Sequence, residues 1–205
     1  MKKKTNKPNK LDVVFLLDRS GSMHNSVLDT IGGYNSYLNN QKGKDAKITT
    51  ILFDDKIEEL YFRKDINEVN ELTQNEYFVR GCTALYDAIG YTINKLEKEV
   101  DNKVLFIITT DGLENASCEF NKKKISSLIK KHNDWEFIYL GANIDSYEEG
   151  SSIGIRKDRI SNYEQSSKGI ARMFSKMSDL SECLYANCEI ESNWNEGLEN
   201  EKDIS

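Results

Sequence analysis

Asp18, Ser20 and Ser22 set one carboxylate and two hydroxyls on alternate residues, with Gly21 between the hydroxyls. They follow an almost wholly apolar run, Leu11 to Leu17, broken only by Asp12. Along an extended segment, residues i, i+2 and i+4 point the same way, and glycine lets the backbone bend so that all three oxygens converge. Oxygen donors gathered without histidine or thiolate suit a hard divalent cation such as Mg²⁺. Metal binding is therefore the leading expectation for this loop.

The elements that must position these oxygens alternate between strand and helix. Apolar runs at 11–17, 47–53, 57–62, 104–110 and 135–140 read as strands, with 54–56 as the turn of a hairpin. The run 104–110 is continuous, as expected of a central strand buried on both faces. Helical spacing recurs at 26–41, 83–96, 120–132 and 166–182, and the stretch 63–80 reads as loop with a short helix. Gly32 and Gly33 weaken the first helix and suggest close packing on the sheet. Met173 and Met177 fall on the apolar face of the last helix and read as core.

Such alternation predicts a mainly parallel sheet covered by helices on both sides. Ligands in these folds gather beyond the carboxyl ends of the central strands. Three loops meet there: Asp18 to Ser22, Gly81 to Thr83, and Asp111 to Asn115.

The chain has 205 residues, 38% apolar and 30% charged, with a formal net charge of −6. That length suits one substantial domain, and the acidic balance argues against nucleic-acid binding. Lysines crowd residues 1–9, and acids crowd 188–205; both ends read as flexible charged tails around a domain at 10–187. The lysine-rich start and Val13 to Leu17 do not make a secretion signal, because the apolar stretch is short and Asp12 and Asp18 bracket it. No stretch has transmembrane length, so the expected compartment is the cytoplasm, away from membranes. Cys82, Cys118, Cys183 and Cys188 form no zinc spacing. Cys183 and Cys188 are near enough to bridge, but free thiols are expected in a reducing compartment.

Asp18-Arg19-Ser20-Gly21-Ser22 resembles the D-x-S-x-S motif of von Willebrand factor type A domains. Thr83 in Gly81-Cys82-Thr83 and Asp111 in Thr109-Thr110-Asp111-Gly112 follow in the family's order, and the likeness runs from about residue 10 to about residue 185. The resemblance implies a Rossmann-like three-layer αβα fold, mainly parallel with one antiparallel edge strand. It also implies a metal-ion-dependent adhesion site. Ser20, Ser22 and Thr83 would supply hydroxyl oxygens, and Asp18 and Asp111 would bind the ion directly or through water. Mg²⁺ is the expected ion, with Mn²⁺ or Ca²⁺ as substitutes, and the partner is a protein presenting an acidic side chain. The absence of an inserted domain within 63–80 resembles the compact, single-domain bacterial and phage-type members.

Other acids near the site read more simply. Asp145 is a helix N-cap, and Asp54 and Asp55 are turn residues. Asp87 is placed to orient the Thr83 loop. Glu114 is either a cap of the following helix or an extra neighbour of the metal. An enzyme is the competing class, because acidic loops holding Mg²⁺ also run phosphoryl transfer. A dehalogenase-type phosphatase needs D-x-D, and here the second acid is replaced by Ser20. Neither a phosphate-binding glycine loop nor a G-x-S-x-G nucleophile is present, so no catalytic residue is assigned. A third possibility is a scaffold whose ion is structural and touches no partner.

Overall fold

The first strand is apolar on both faces because both faces are covered. In the computed structural model, which describes residues 10–199, β1 (Leu11–Asp18) is buried along its whole length. It pairs in parallel with β2 (Ala46–Phe53) on one side and β4 (Lys103–Thr110) on the other. β5 (Glu136–Gly141) and β6 (Ile160–Asn162) extend the parallel order beyond β4. At the opposite edge β3 (Ile57–Asp65) runs antiparallel to β2. The order is β3-β2-β1-β4-β5-β6, the expected parallel sheet with one antiparallel edge strand.

Strand alternation sends side chains to two separate cores. Phe15 and Leu17 of β1 meet α1 (Val27–Gln41) and α5 (Ser167–Tyr185) through Tyr34, Tyr37, Met173, Phe174 and Met177. Val14 and Leu16 meet α2 (Leu85–Leu96) and α3 (Lys122–Lys131) through Ile89, Ile93 and Ile125. The result is the expected three-layer αβα stack, with both methionines of α5 in the core. Among the described residues no helix is long and apolar enough to cross a membrane.

Gly33 serves helix packing and not contact with the sheet. A Cβ on it would come within 2.2 Å of the Phe174 ring of α5, whereas Gly32 faces open space. Gly32→Ala is therefore expected to stabilise the protein by about 1 kcal/mol through helix propensity. Gly33→Ala should cost about 1–3 kcal/mol through overpacking. Urea midpoints of the two variants, moving in opposite directions, check this.

Three expectations about organisation need correction. The span of α4 (Ser146–Ser152), whose start the Asp145 cap implied, was not given, and β6 was missed; one is seven residues of mostly poor helix formers, the other three residues, too short for periodicity. β3 continues to Asp65, with register shifts opposite β2 and Arg63 at φ 44°, before a 3₁₀ turn at Ile66–Glu68. The stretch after 187 is not a solvated tail as far as it is described. Ile190, Trp194 and Leu198 are buried in the α1–α5 core. Trp194 Nε1 donates to the Asp158 carbonyl at 2.8 Å, and Arg159 Nη2 donates to the Ile190 carbonyl at 2.8 Å. Apolar residues every fourth position overrode the acidic composition. The expected basic tail at 1–9, and 200–205, lie outside the described residues.

Candidate metal centre

β1 and β4 lie side by side, yet β1 is followed by a strand on its other flank and β4 by β5 on its own. Chain order thus reverses between them, which opens a crevice at their carboxyl ends. Leu17 is in register with Thr109, so Asp18 and Thr110 end together. Thr110 Oγ1 donates to Asp18 Oδ2 at 2.5 Å, and the Ser20 N–H donates to Asp18 Oδ1 at 2.7 Å. The Tyr77 hydroxyl donates to the Asp18 carbonyl at 2.5 Å. Asp18 is fully buried. Burial pushes its carboxyl up to about 6, against the pull of the Thr110 and Ser20 hydrogen bonds, and the Asp111 charge adds to the rise.

The chain leaves Asp18 through Ser20 into a 3₁₀ turn, Gly21–Ser26. Ser20 Oγ lies 3.1 Å from Ser22 Oγ, and the Ser22 hydroxyl donates to Asp111 Oδ1 in a short hydrogen bond. The Gly21 N–H reaches the Gly81 carbonyl at 3.3 Å, joining this loop to the one that carries Thr83. Gly81 has φ +65°, and a Cβ there would strike the Asp55 carboxylate. Only glycine makes that approach without strain.

Asp111 follows β4, and the next residue shows how closely the oxygens gather. A Cβ placed on Gly112 would sit 3.0 Å from Thr83 Oγ1, 3.5 Å from Ser22 Oγ and 3.9 Å from Ser20 Oγ. Three hydroxyls from two loops thus surround one small volume beside Asp111. The structure brings together all five expected residues, with Ser22 as the exposed member and the other four buried. The donors are all hard oxygens, and two carboxylates match a divalent charge, so the set suits Mg²⁺, Mn²⁺ or Ca²⁺. Among the described residues no group of three or more histidines, cysteines or acids is placed to hold a metal. The cluster differs from such groups in relying on hydroxyls.

Several neighbours hold the cluster and were not anticipated. Gln165 Nε2 donates to Asp111 Oδ2 at 2.6 Å, from the turn before α5. Thr83 is clamped by Asn115: its N–H donates to Asn115 Oδ1 at 2.9 Å, and its carbonyl accepts from the Asn115 N–H at 3.0 Å. Asp87, expected to orient that loop, instead accepts the N–H groups of Cys118, Glu119 and Phe120. Glu114 caps a helix, but the preceding one: it accepts the Tyr86 N–H of α2 at 2.9 Å, as well as the Ala116 and Ser117 N–H groups. Asp145 accepts the Glu148 N–H at 2.9 Å and caps α4 as expected.

Asp54 makes its turn bond to the Lys56 N–H at 2.8 Å, yet it is also the hub of a buried network. Arg19 Nε reaches it at 2.8 Å and Arg80 Nε at 2.7 Å. Burial opposes its ionisation, but hydrogen bonds from Arg80, Lys56 and Arg19 together hold its carboxyl below the usual range. Arg19, wholly buried between two site residues, also pairs with Glu58 at 2.8 Å and lies 5.4 Å from the centre of the Phe78 ring. A buried arginine needs a buried acid, and Asp54 at the end of the neighbouring strand was the available signal.

A model of the von Willebrand factor type A domain matches residues 12–176. No curated protein matches in sequence. The fold is similar to the vWF domain of the type V pili tip protein of Porphyromonas gingivalis, with a TM-score of 0.71 and 10% identity over 90% of this chain and 99% of that one. It is similar to proximal thread matrix protein 1 of the mussel byssus with a zinc-occupied MIDAS motif, with a TM-score of 0.61 and 18% identity over 85% of this chain. This chain spans only 46% of that mussel protein. The manganese-loaded TRAP protein of Plasmodium vivax has a TM-score of 0.60 and 19% identity, covering 82% of this chain and 74% of that one. At these identities the likeness is one of fold.

Proposed function

The chain belongs to the von Willebrand factor type A domain family, and on that premise we propose that it is a divalent-cation-dependent protein-binding module. The observation that carries this reading is the convergence of Ser20, Ser22 and Thr83 hydroxyls beside the Asp18 and Asp111 carboxylates. The relatives with zinc and with manganese support a divalent ion; Mg²⁺ is our assignment from the all-oxygen donor set. When bound, the cation supplies Lewis acidity for one further ligand, an acidic side chain of a partner protein.

The chain's own residues do the rest. Thr110 and the Ser20 N–H orient the Asp18 carboxylate, and Gln165 holds the far oxygen of Asp111. Asn115 fixes Thr83 on the second loop. With two carboxylates and three neutral hydroxyls, the site balances a divalent charge without exceeding it, which leaves attraction for an acid from outside. The reading is of a binding module and not an enzyme, since Ser20 stands where a D-x-D phosphatase carries its second acid. Four free thiols fit a cytoplasmic setting.

Thermal unfolding tests the ion. Mg²⁺ or Mn²⁺ at a hundredfold excess over Kd should raise stability by about 2.7 kcal/mol relative to EDTA, and Thr83→Ala should weaken that response. Partner capture from the native host tests the grip. Capture lost both in EDTA and in Thr83→Ala supports an ion bridge; capture indifferent to both makes the ion a structural part only.

A further inference from the structure

Helix α5 ends in a turn that brings two cysteines together. The Cys188 N–H donates to the Cys183 carbonyl at 2.9 Å, and the Asn187 N–H donates to the Leu184 carbonyl at 3.2 Å. Asn187 has φ 57°, in the left-handed region. These are the two bonds and the left-handed residue of a Schellman motif, which ordinarily brings two apolar side chains into contact across the helix end. The positions that make that contact, third from the helix end and second beyond the cap, are here Cys183 and Cys188. Lys103 at the start of β4 fixes the turn, donating to Asn187 Oδ1 at 2.6 Å and to the Leu184 carbonyl at 3.4 Å.

The two thiols differ in access. Cys188 is exposed, whereas Cys183 is half-buried against the α1–α5 core, and both are free thiols. Burial and the neighbouring Cys188 thiol hold the Cys183 thiol above its ordinary pKa. An exposed thiol beside a shielded one is an attacking and resolving pair. Beyond this turn the chain folds back, laying Ile190, Trp194 and Leu198 on the core.

We propose that Cys183 and Cys188 form a thiol–disulfide site that low-molecular-weight disulfides such as oxidised glutathione close, stapling the end of α5 to the segment that follows. The Cys188 thiolate attacks one sulfur of oxidised glutathione, and a glutathione thiolate leaves and takes up a proton. Cys183 then loses its proton and attacks the Cys188 sulfur, forming the intramolecular S–S bond and expelling a second glutathione thiolate. Two protein thiols are oxidised, and one glutathione disulfide is reduced to two thiols. This site is independent of the cation reading.

The test equilibrates the full chain, carrying Cys82→Ser and Cys118→Ser, in glutathione redox buffers, then traps thiols by alkylation for mass spectrometry. The folded chain should oxidise with an equilibrium constant at least about tenfold more favourable than the same chain in urea, where only sequence proximity acts. Asn187→Val, which disfavours the left-handed cap, should remove much of that advantage. Equal constants in the folded and unfolded chains, or accumulation of the mixed glutathione disulfide, would overturn the site. Glutamyl endopeptidase cleavage between Glu189 and Glu199 should be several-fold slower in the oxidised form; unchanged cleavage would overturn the staple.

Discussion

Asp18→Asn is expected to abolish the response to divalent cations and yet to make the metal-free protein more stable at neutral pH. The Asp18 carboxylate is fully buried, and its folded pKa of about 6 lies above the ordinary 3.8. Folding therefore takes up a proton in this window. The contribution of the protonated carboxyl is complete below pH 3.8 and is lost as pH rises through about 6. At pH 7.5 without metal, the difference amounts to about 3 kcal/mol.

Asparagine has the same shape and avoids that cost. Its Oδ1 can still accept the Ser20 N–H. Its amide can donate to Thr110 Oγ1, which turns its own hydrogen to the Gly112 carbonyl 3.1 Å away. Urea unfolding in EDTA should show the variant ahead at pH 7.5, with its lead shrinking toward pH 4. With saturating Mg²⁺ or Mn²⁺, the wild type should recover and the variant should not move. A variant destabilised in EDTA at pH 7.5 would mean that Asp18 is a structural anchor and not a poised ligand.

Asp54→Ala should cause the largest loss of stability, about 3–5 kcal/mol, because it strands a buried arginine. Arg19 has no exposure, and its remaining charged partner, Glu58, has a side chain 45% exposed to solvent. The same backbone segment also ties the site together: the Asp54 carbonyl accepts the Ala84 N–H at 2.8 Å, beside Thr83. Metal affinity of the folded fraction should therefore fall as well. Arg80→Ala is the contrast. Its side chain is 37% exposed, so loss of its pair with Asp54 should cost no more than about 1 kcal/mol. Equal losses for the two variants in urea unfolding would sink the distinction between a buried hub and a surface arm.

The strand–helix alternation and the oxygens of Asp18, Ser20 and Ser22 were legible because each signal is local, whereas Thr83 and Asp111 were picked out by their likeness to a family motif order. An apolar run, a glycine between serines, and an aspartate closing a strand all sit within a few residues of each other. The failures share a different cause. Asp54 read only as a turn residue because its pairing with Arg19 joins the ends of two adjacent strands 35 residues apart in the chain. Asp87 and Glu114 were recognisable as hydrogen-bonding acids, but their partners lie on other segments. The docking of Ile190, Trp194 and Leu198 was hidden by the acids around them, since charge counts average over a spacing that packing reads residue by residue.

By itself the sequence determined the mainly parallel layered sheet and set out the Asp18, Ser20 and Ser22 loop, because these follow from periodicity and short-range spacing; the family, and Thr83 and Asp111 with it, rested on a likeness of motif order. Only the tertiary structure decided what holds these residues: Gln165 on Asp111, Asn115 on Thr83, and Arg19 with Asp54 beneath both loops. It also decided that two cysteines meet at the end of α5. These are contacts between segments, or side-chain approaches set by a left-handed cap. Their energies depend on burial and direction, which a one-dimensional pattern does not carry.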